Sequence, residues 1–422
     1  MNFLLDRKNY IAFYVIGYLL RGMIYHFLPW INEILLGVSI LWPILMIGND
    51  IKNKAIHPDP MKTALLLFTG FALLSTLIHF SASTADTWTS LWGLINLLYI
   101  LFTAPEHETD WHHFFTRLSL FSVAYIGLLA LASVILLACY RADISLPMGL
   151  ASAERIFTYG HMGEETRFCG LFGYSTDGGN LCTLGAALSL YLFDQYQNRK
   201  AALPVTVLFV LLFSYTVYLL DVRTSMLALL TAAGLVVYRL LRRKCSVSRS
   251  ILILLSALII GCGAVFVLKR NAIAGFVSQL QEDPYGTLRF VTTGRSVYWQ
   301  NAFGQFLKHP LLGQGWNNAE GVGYFDCHNL LINLLLWTGI CGTGAMLGFF
   351  VLLIRRLIEN REQIISERLT SLVILLCVIL ITSMLERAVI GTVNTNPDAS
   401  FFWLSAGTLA YLGGRNKERT AQ

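Results

Sequence analysis

Apolar runs of about twenty residues follow one another along almost the whole chain, the length an α-helix needs to cross the hydrocarbon core of a bilayer. Twelve candidate spans can be placed, near 9–28, 30–48, 61–80, 88–104, 117–139, 171–193, 202–220, 222–241, 250–268, 328–354, 369–387 and 399–414. Composition agrees: 55% of the 422 residues are hydrophobic and 13% charged, about half the charged fraction of a soluble domain. The expected fold is all-α, a polytopic integral membrane protein forming a single membrane domain over 1–422, with about twelve transmembrane helices.

Charge orients it. With the N-terminus inside, the inward segments collect Arg7 and Lys8, then Lys52, Lys54 and Lys62, and later Arg239, Arg242, Arg243, Lys244 and Arg249. Arg355, Arg356, Arg361 and Arg368 follow, and Arg415, Lys417 and Arg419 close the series. The positive-inside rule therefore places both termini in the cytoplasm and the segment 269–327, between spans nine and ten, in a large outer loop. The net charge of +6 reflects this arrangement, and the basic residues form no aromatic-interleaved stripe of the kind that binds nucleic acid. The first apolar run lacks a small-residue cleavage site and is expected to stay as the first span. The eight cysteines stand singly, without zinc or disulfide-framework spacing; a pair among Cys139, Cys169 and Cys327 would face an oxidising compartment.

Within the outer loop, Thr292 or Thr293 can cap a helix that Pro310 ends, so 295–308 is expected as a short interfacial helix. Trp299, Ala302, Phe303, Phe306 and Leu307 share its apolar face. Arg295, four residues before Trp299, projects from that face, where it either snorkels to the interface or, as a cation on an apolar face, calls for a buried anionic partner; Arg289 is the competing choice. Gly313 and Gly315, in His309-Pro310-Leu311-Leu312-Gly313-Gln314-Gly315, either make a plain turn or let the chain fold back close to a ligand or another helix.

His328 and Asn329 stand where the chain re-enters the membrane. An imidazole there can take a proton from an alcohol near neutral pH, or serve only as a structural hydrogen-bonder. Asp326 and His328 have no third metal ligand at an obvious spacing, and no metal or other cofactor is expected. Arg223 begins the eighth span at the outer face, either paired with Asp221 or acting as an anion clamp at a helix N-terminus. Arg167 and Arg387 add outward cations, and Asp177 and Asn180 are polar groups in an apolar span that should face a cavity. A pyrophosphate would make sense of several cations and one histidine at a single depth.

In this order the motifs resemble the O-antigen ligase and polymerase superfamily. The carrying residues are Thr293-Gly294-Arg295 with Trp299, the 309–315 segment, and His328-Asn329 ahead of a span containing Gly339 and Gly342. The 167–174 segment and Arg223-Thr224 complete a likeness that covers about 167–350. It implies a glycosyltransferase of the bacterial cytoplasmic membrane that moves a polyprenyl-diphosphate-linked glycan, on the outer face, to a glycan, lipid or protein acceptor. Arg223 and Arg295 would hold the donor diphosphate and His328 would deprotonate or align the acceptor hydroxyl for inverting, metal-independent transfer. Arg167, Arg289, Asn329 and Arg387 would bind substrate. A ligase and a repeat-unit polymerase share this chemistry. A transporter or flippase for an anionic lipid or solute is the competing class, and a structural scaffold or sensor is a third.

Overall fold

A computed structural model describes residues 6–24, 31–53, 59–80, 84–107, 110–144, 156–159, 166–244, 295–322, 327–385 and 397–411. The expected ninth span at 250–268 and most of the outer loop, with Arg289, Arg387, Thr292, Thr293 and Asp326, lie outside them.

The helices in the first half are α1 (Arg7–Ile24), α2 (Ile31–Lys52), α3 (Pro60–Ile78), α4 (Ala85–Ile95), α5 (Phe102–His107) and α6 (Trp111–Arg141). A π-helical stretch, Asn96–Leu101, joins α4 to α5. A two-stranded antiparallel hairpin follows, β1 (Phe157–Tyr159) with β2 (Thr166–Phe168). Then come α7 (Ser175–Tyr196), α8 (Ala202–Leu220), α9 (Arg223–Lys244), α10 (Arg295–Phe306), α11 (Leu330–Glu359), α12 (Arg361–Ser366), α13 (Thr370–Leu385) and α14 (Pro397–Ala410).

Seven helices among the described residues are long and apolar enough to cross a membrane, at 34–52, 60–78, 85–106, 111–141, 202–220, 223–240 and 330–359. Each coincides with an expected span. Helices also stand at four of the other expected spans, but α13 and α14 are shorter, at 16 and 14 residues. Leu66, Leu208 and Leu230 leave 65% or more of their surface uncovered, as lipid-facing side chains do.

The bundle has two chemically distinct ends. At one, charged groups are paired and largely buried. Arg7 meets Asp50 and donates to Thr103 Oγ1, Lys62 Nζ lies 2.6 Å from Glu106, and Arg239 lies 2.7 Å from Asp194. Ser371, at the start of α13, donates to the same Asp194 carboxylate, so the ends of α7 and α9 meet the beginning of α13. Trp111 to Thr408 and His112 to Gln195 bring α6, α7 and α14 to this level. The end rich in basic segments is thus stitched by ion pairs, and α13 runs antiparallel to α7 and α9.

At the other end the 309–316 segment is tied into the helices. α11 is not one straight rod: Gly339 has φ 62° and ψ −163°, which breaks it after nine residues. A break frees carbonyls on one side and amides on the other, and each must find a partner when buried. The 309–316 segment supplies them. Gln314 N donates to Leu336 O (2.8 Å), while Ile340 N and Cys341 N donate to Pro310 O (2.9 Å) and Leu311 O (3.1 Å). Ser75 Oγ, near the end of α3, donates to Trp337 O, and the Trp316 indole reaches Ser90. The Gly313 turn is therefore a fold-back against another helix.

Candidate functional site

His328 sits in the left-handed region, with φ 47°, a conformation that costs a non-glycine residue free energy and persists only where neighbours enforce it. Both flanking residues are held. The Cys327 amide donates to Asn333 Oδ1 (2.9 Å), and the Cys327 carbonyl accepts from the Trp299 indole (2.7 Å). Asn329 caps α11 by accepting from Ile332 N (3.1 Å), while its Nδ2 donates to Met384 O (2.9 Å) on α13. Four hydrogen bonds thus fix the backbone from which the imidazole projects. Burial pushes the neighbouring Cys327 thiol up to about 12, marking a dry wall beside it.

The expected interfacial helix is α10, and Arg295 is its first residue. Its apolar face divides: Ala302 is fully buried and Trp299 half-buried, whereas Phe303 and Leu307 are exposed as an interfacial face would be. Because Arg295 precedes Trp299 by about one turn, it lies on the side of α10 that the indole pins to Cys327.

Arg223 opens α9 and is exposed. The alternative of an ion pair with Asp221 is not made: Asp221 caps α8 in the left-handed conformation, and Arg223 has no ion pair among the described residues. Its level follows from packing. Ala228 and Ala232 pack with Ile374 and Val378 of α13, and Arg239 meets Ser371. Counting up about 7.5 Å from Ala228 at 1.5 Å per residue brings Arg223 to the end of α13, where Asn329 is bonded. Arg167, on β2 opposite Thr158, is exposed at this same end, where Leu171 N holds the hairpin to Ser133 of α6 (3.0 Å).

The structure thus gathers Arg167, Arg223, Arg295, His328 and Asn329 at one end, away from the ion-paired end, with Arg295 and His328 linked through Trp299. It joins Arg167 and Arg223 to them by level alone. Of the polar pair in α7, Asn180 is buried and accepts from Ser225 of α9 (3.2 Å), while Asp177 is exposed. No group of three or more His, Cys, Asp or Glu is placed to hold a metal among the described residues. None of Cys139, Cys169 and Cys327 forms a disulfide. An open groove of about 480 Å³ lined by Asp59, Pro60, Thr63, Ala64 and Leu67 lies at the opposite end.

Sequence reasoning missed Asp398, a buried carboxylate in the first turn of α14. The signal was there: an ionisable residue leading an apolar run.

Residues 207–347 match the family model described as O-antigen ligase. This supports membership of the O-antigen ligase and polymerase superfamily, with a part in surface polysaccharide biosynthesis. The O-antigen ligase match takes in Arg223, Arg289, Arg295, His328, Asn329 and the break at Gly339, and leaves Arg167, Asp398 and Arg387 outside. No curated protein matches the chain.

Proposed function

We propose that this chain is a ligase-like glycosyltransferase that moves a polyprenyl-diphosphate-linked glycan on the outer face of the bacterial cytoplasmic membrane. The observation that carries it is the pairing of an exposed arginine without an ion pair among the described residues, Arg223, with a histidine fixed by its flanking residues at the same end of a membrane bundle. A guanidinium without an ion pair among the described residues, at a helix N-terminus, suits a ligand that brings its own negative charge.

In the reaction, Arg223 and Arg295 hold the donor diphosphate, with Arg289 as the alternative to Arg295. Arg167, Asn329 and Arg387 complete the binding of substrate. The acceptor hydroxyl attacks the anomeric carbon, the bond from that carbon to the diphosphate oxygen breaks, and polyprenyl diphosphate leaves. The hydroxyl proton passes to His328 and the anomeric centre inverts. The guanidinium charges stabilise the leaving diphosphate, so no metal ion is required for that task. With both termini cytoplasmic, these groups face the compartment where flipped lipid-linked glycans and their glycan, lipid or protein acceptors meet.

The test is the surface-glycan profile of cells lacking the gene, complemented by wild type or by His328→Ala. Polymer left on its lipid carrier in the knockout and in His328→Ala supports the ligase reading. Single repeats attached without polymer would make it a polymerase. An unchanged profile would overturn both and favour a transporter.

A further inference from the structure

Three helices begin together at the site's end of the bundle: α7 at Ser175, α9 at Arg223 and α14 at Pro397. Asp398 stands in the first turn of α14, ahead of its apolar run, with 3% of its surface exposed. Its Oδ1 has no hydrogen-bond partner among the described residues. Burying a carboxylate oxygen without a hydrogen bond is costly.

The Asp177 carboxylate on α7 is close enough to act on Asp398 electrostatically. Asp177 and Asn180 are three residues apart, one above the other on the same side of α7. Asn180 accepts from Ser225 on α9, and the adjacent Thr224 has a buried hydroxyl that also lacks a partner among the described residues. Arg223 immediately precedes them. Asp398, Asp177, Asn180 and Thr224 thus bring oxygen-bearing groups of three helices to one end of the bundle, where Arg223 begins α9. Carboxylate and amide oxygens accept, and the threonine hydroxyl both donates and accepts. That mixture matches the hydroxyls of a sugar, which do both.

We propose that Asp398, with Asp177, Asn180 and Thr224, forms a subsite for the hydroxyls of the donor sugar next to the diphosphate. This rests on the glycosyltransfer reading above, since it is Arg223 that would set the diphosphate beside it. Asp398 accepts a hydrogen bond from a sugar hydroxyl and thereby fills its open valence, so the subsite reads the glycan while the arginines read the diphosphate.

The experiment measures binding of two probes to the purified full-length protein in lipid nanodiscs: polyprenyl diphosphate alone, and the polyprenyl-diphosphate-linked glycan extracted from the source cells. Wild type should prefer the glycan-bearing lipid. Asp398→Ala should lose about tenfold in affinity for it, the equivalent of one good buried hydrogen bond, and keep its affinity for the bare lipid. Asp398→Asn keeps the volume and removes the buried charge, so it should fold at least as well as wild type and still lose part of the preference. Equal affinities of both variants and wild type for the glycan-bearing lipid would overturn the subsite. So would abolition of the preference by EDTA, which would make the carboxylates a cation site. If wild type binds neither probe, the glycosyltransfer reading itself fails and the subsite with it.

Discussion

The indole of Trp299 donates to the carbonyl of Cys327 at 2.7 Å, bridging two residues 28 apart in sequence and fastening α10 to the residue before His328. A single hydrogen bond of this kind is worth about 1 kcal/mol, too little to decide whether the protein folds. It is enough to decide where an imidazole points. Trp299→Phe should leave thermal stability nearly unchanged and lower kcat about tenfold with KM for the donor held, because the loss is one of alignment. Steady-state kinetics on purified protein checks this. Unaltered kcat would reduce Trp299 to an anchor of α10 alone.

Arg223 makes no ion pair among the described residues, and its removal should therefore cost less than about 0.5 kcal/mol in stability. If it clamps a diphosphate, Arg223→Ala should reduce transfer by about a hundredfold or more, and Arg223→Lys should recover little, since an ammonium cannot fork onto two phosphate oxygens. Transfer assays beside a melting curve separate the two effects. Full activity of Arg223→Ala would remove it from the site.

The apolar runs were legible because lipid leaves a helix no freedom in length or in hydrogen bonding; α8, at Ala202–Leu220, lies where its run was read. The positions of Arg223, Arg295, His328 and Asn329 at one end followed from alternating the spans. Less could be read where the signal was an ordinary residue in an extraordinary conformation. Gly339 lies in an apolar run that looks continuous, and its break depends on carbonyls more than twenty residues earlier. Twelve spans were read, whereas seven described helices meet both length and apolarity. α13 and α14, at expected spans, reach 16 and 14 residues over the described part of the chain. Asp398 was legible as an ionisable residue leading an apolar run, but its burial is a tertiary fact.

Cys327 is buried, and burial pushes its thiol up to about 12 from a usual value near 9. Burial therefore keeps the reactive thiolate scarce at pH 8. Peptide mass spectrometry after maleimide treatment should find Cys327 unmodified in the native protein and labelled after denaturation. Labelling in the native protein with His328→Ala, but not in wild type, would show that the imidazole also closes access to this wall.

Arg7 holds α1 against α2 and α5, through Asp50 and Thr103, and its guanidinium stacks 5.6 Å over the Tyr99 ring. Both charges are buried, so deleting one leaves the other unpaired. Asp50→Ala should destabilise by about 3–5 kcal/mol, while Arg7→Met with Asp50→Leu should recover much of it, because an apolar pair avoids desolvating two ions. Thermal unfolding in detergent reads both. Equal loss in the single and double variants would mean that Tyr99 and Thr103, and not the charge pair, fix α1.

A methyl group at Gly339 would run into Leu311 O, and one at Gly313 would sit 2.5 Å from the Trp337 carbonyl carbon. Backbone, not a movable side chain, blocks both, and both glycines have positive φ. Gly339→Ala and Gly313→Ala should therefore each cost at least about 2 kcal/mol from strain alone. Gly348, further along α11, has nothing within 4 Å of where a methyl would stand, and there alanine should stabilise the helix by up to about 1 kcal/mol. The contrast separates a conformational need from a general preference for small residues in membrane helices. It also bears on the site. The segment that fills the break begins three residues after α10, so strain at Gly313 or Gly339 should loosen α10 and lower transfer more than Asp50→Ala does at equal loss of stability. A plot of activity against melting temperature for the three variants decides it, and a single common line would show that the break serves the fold and not the chemistry.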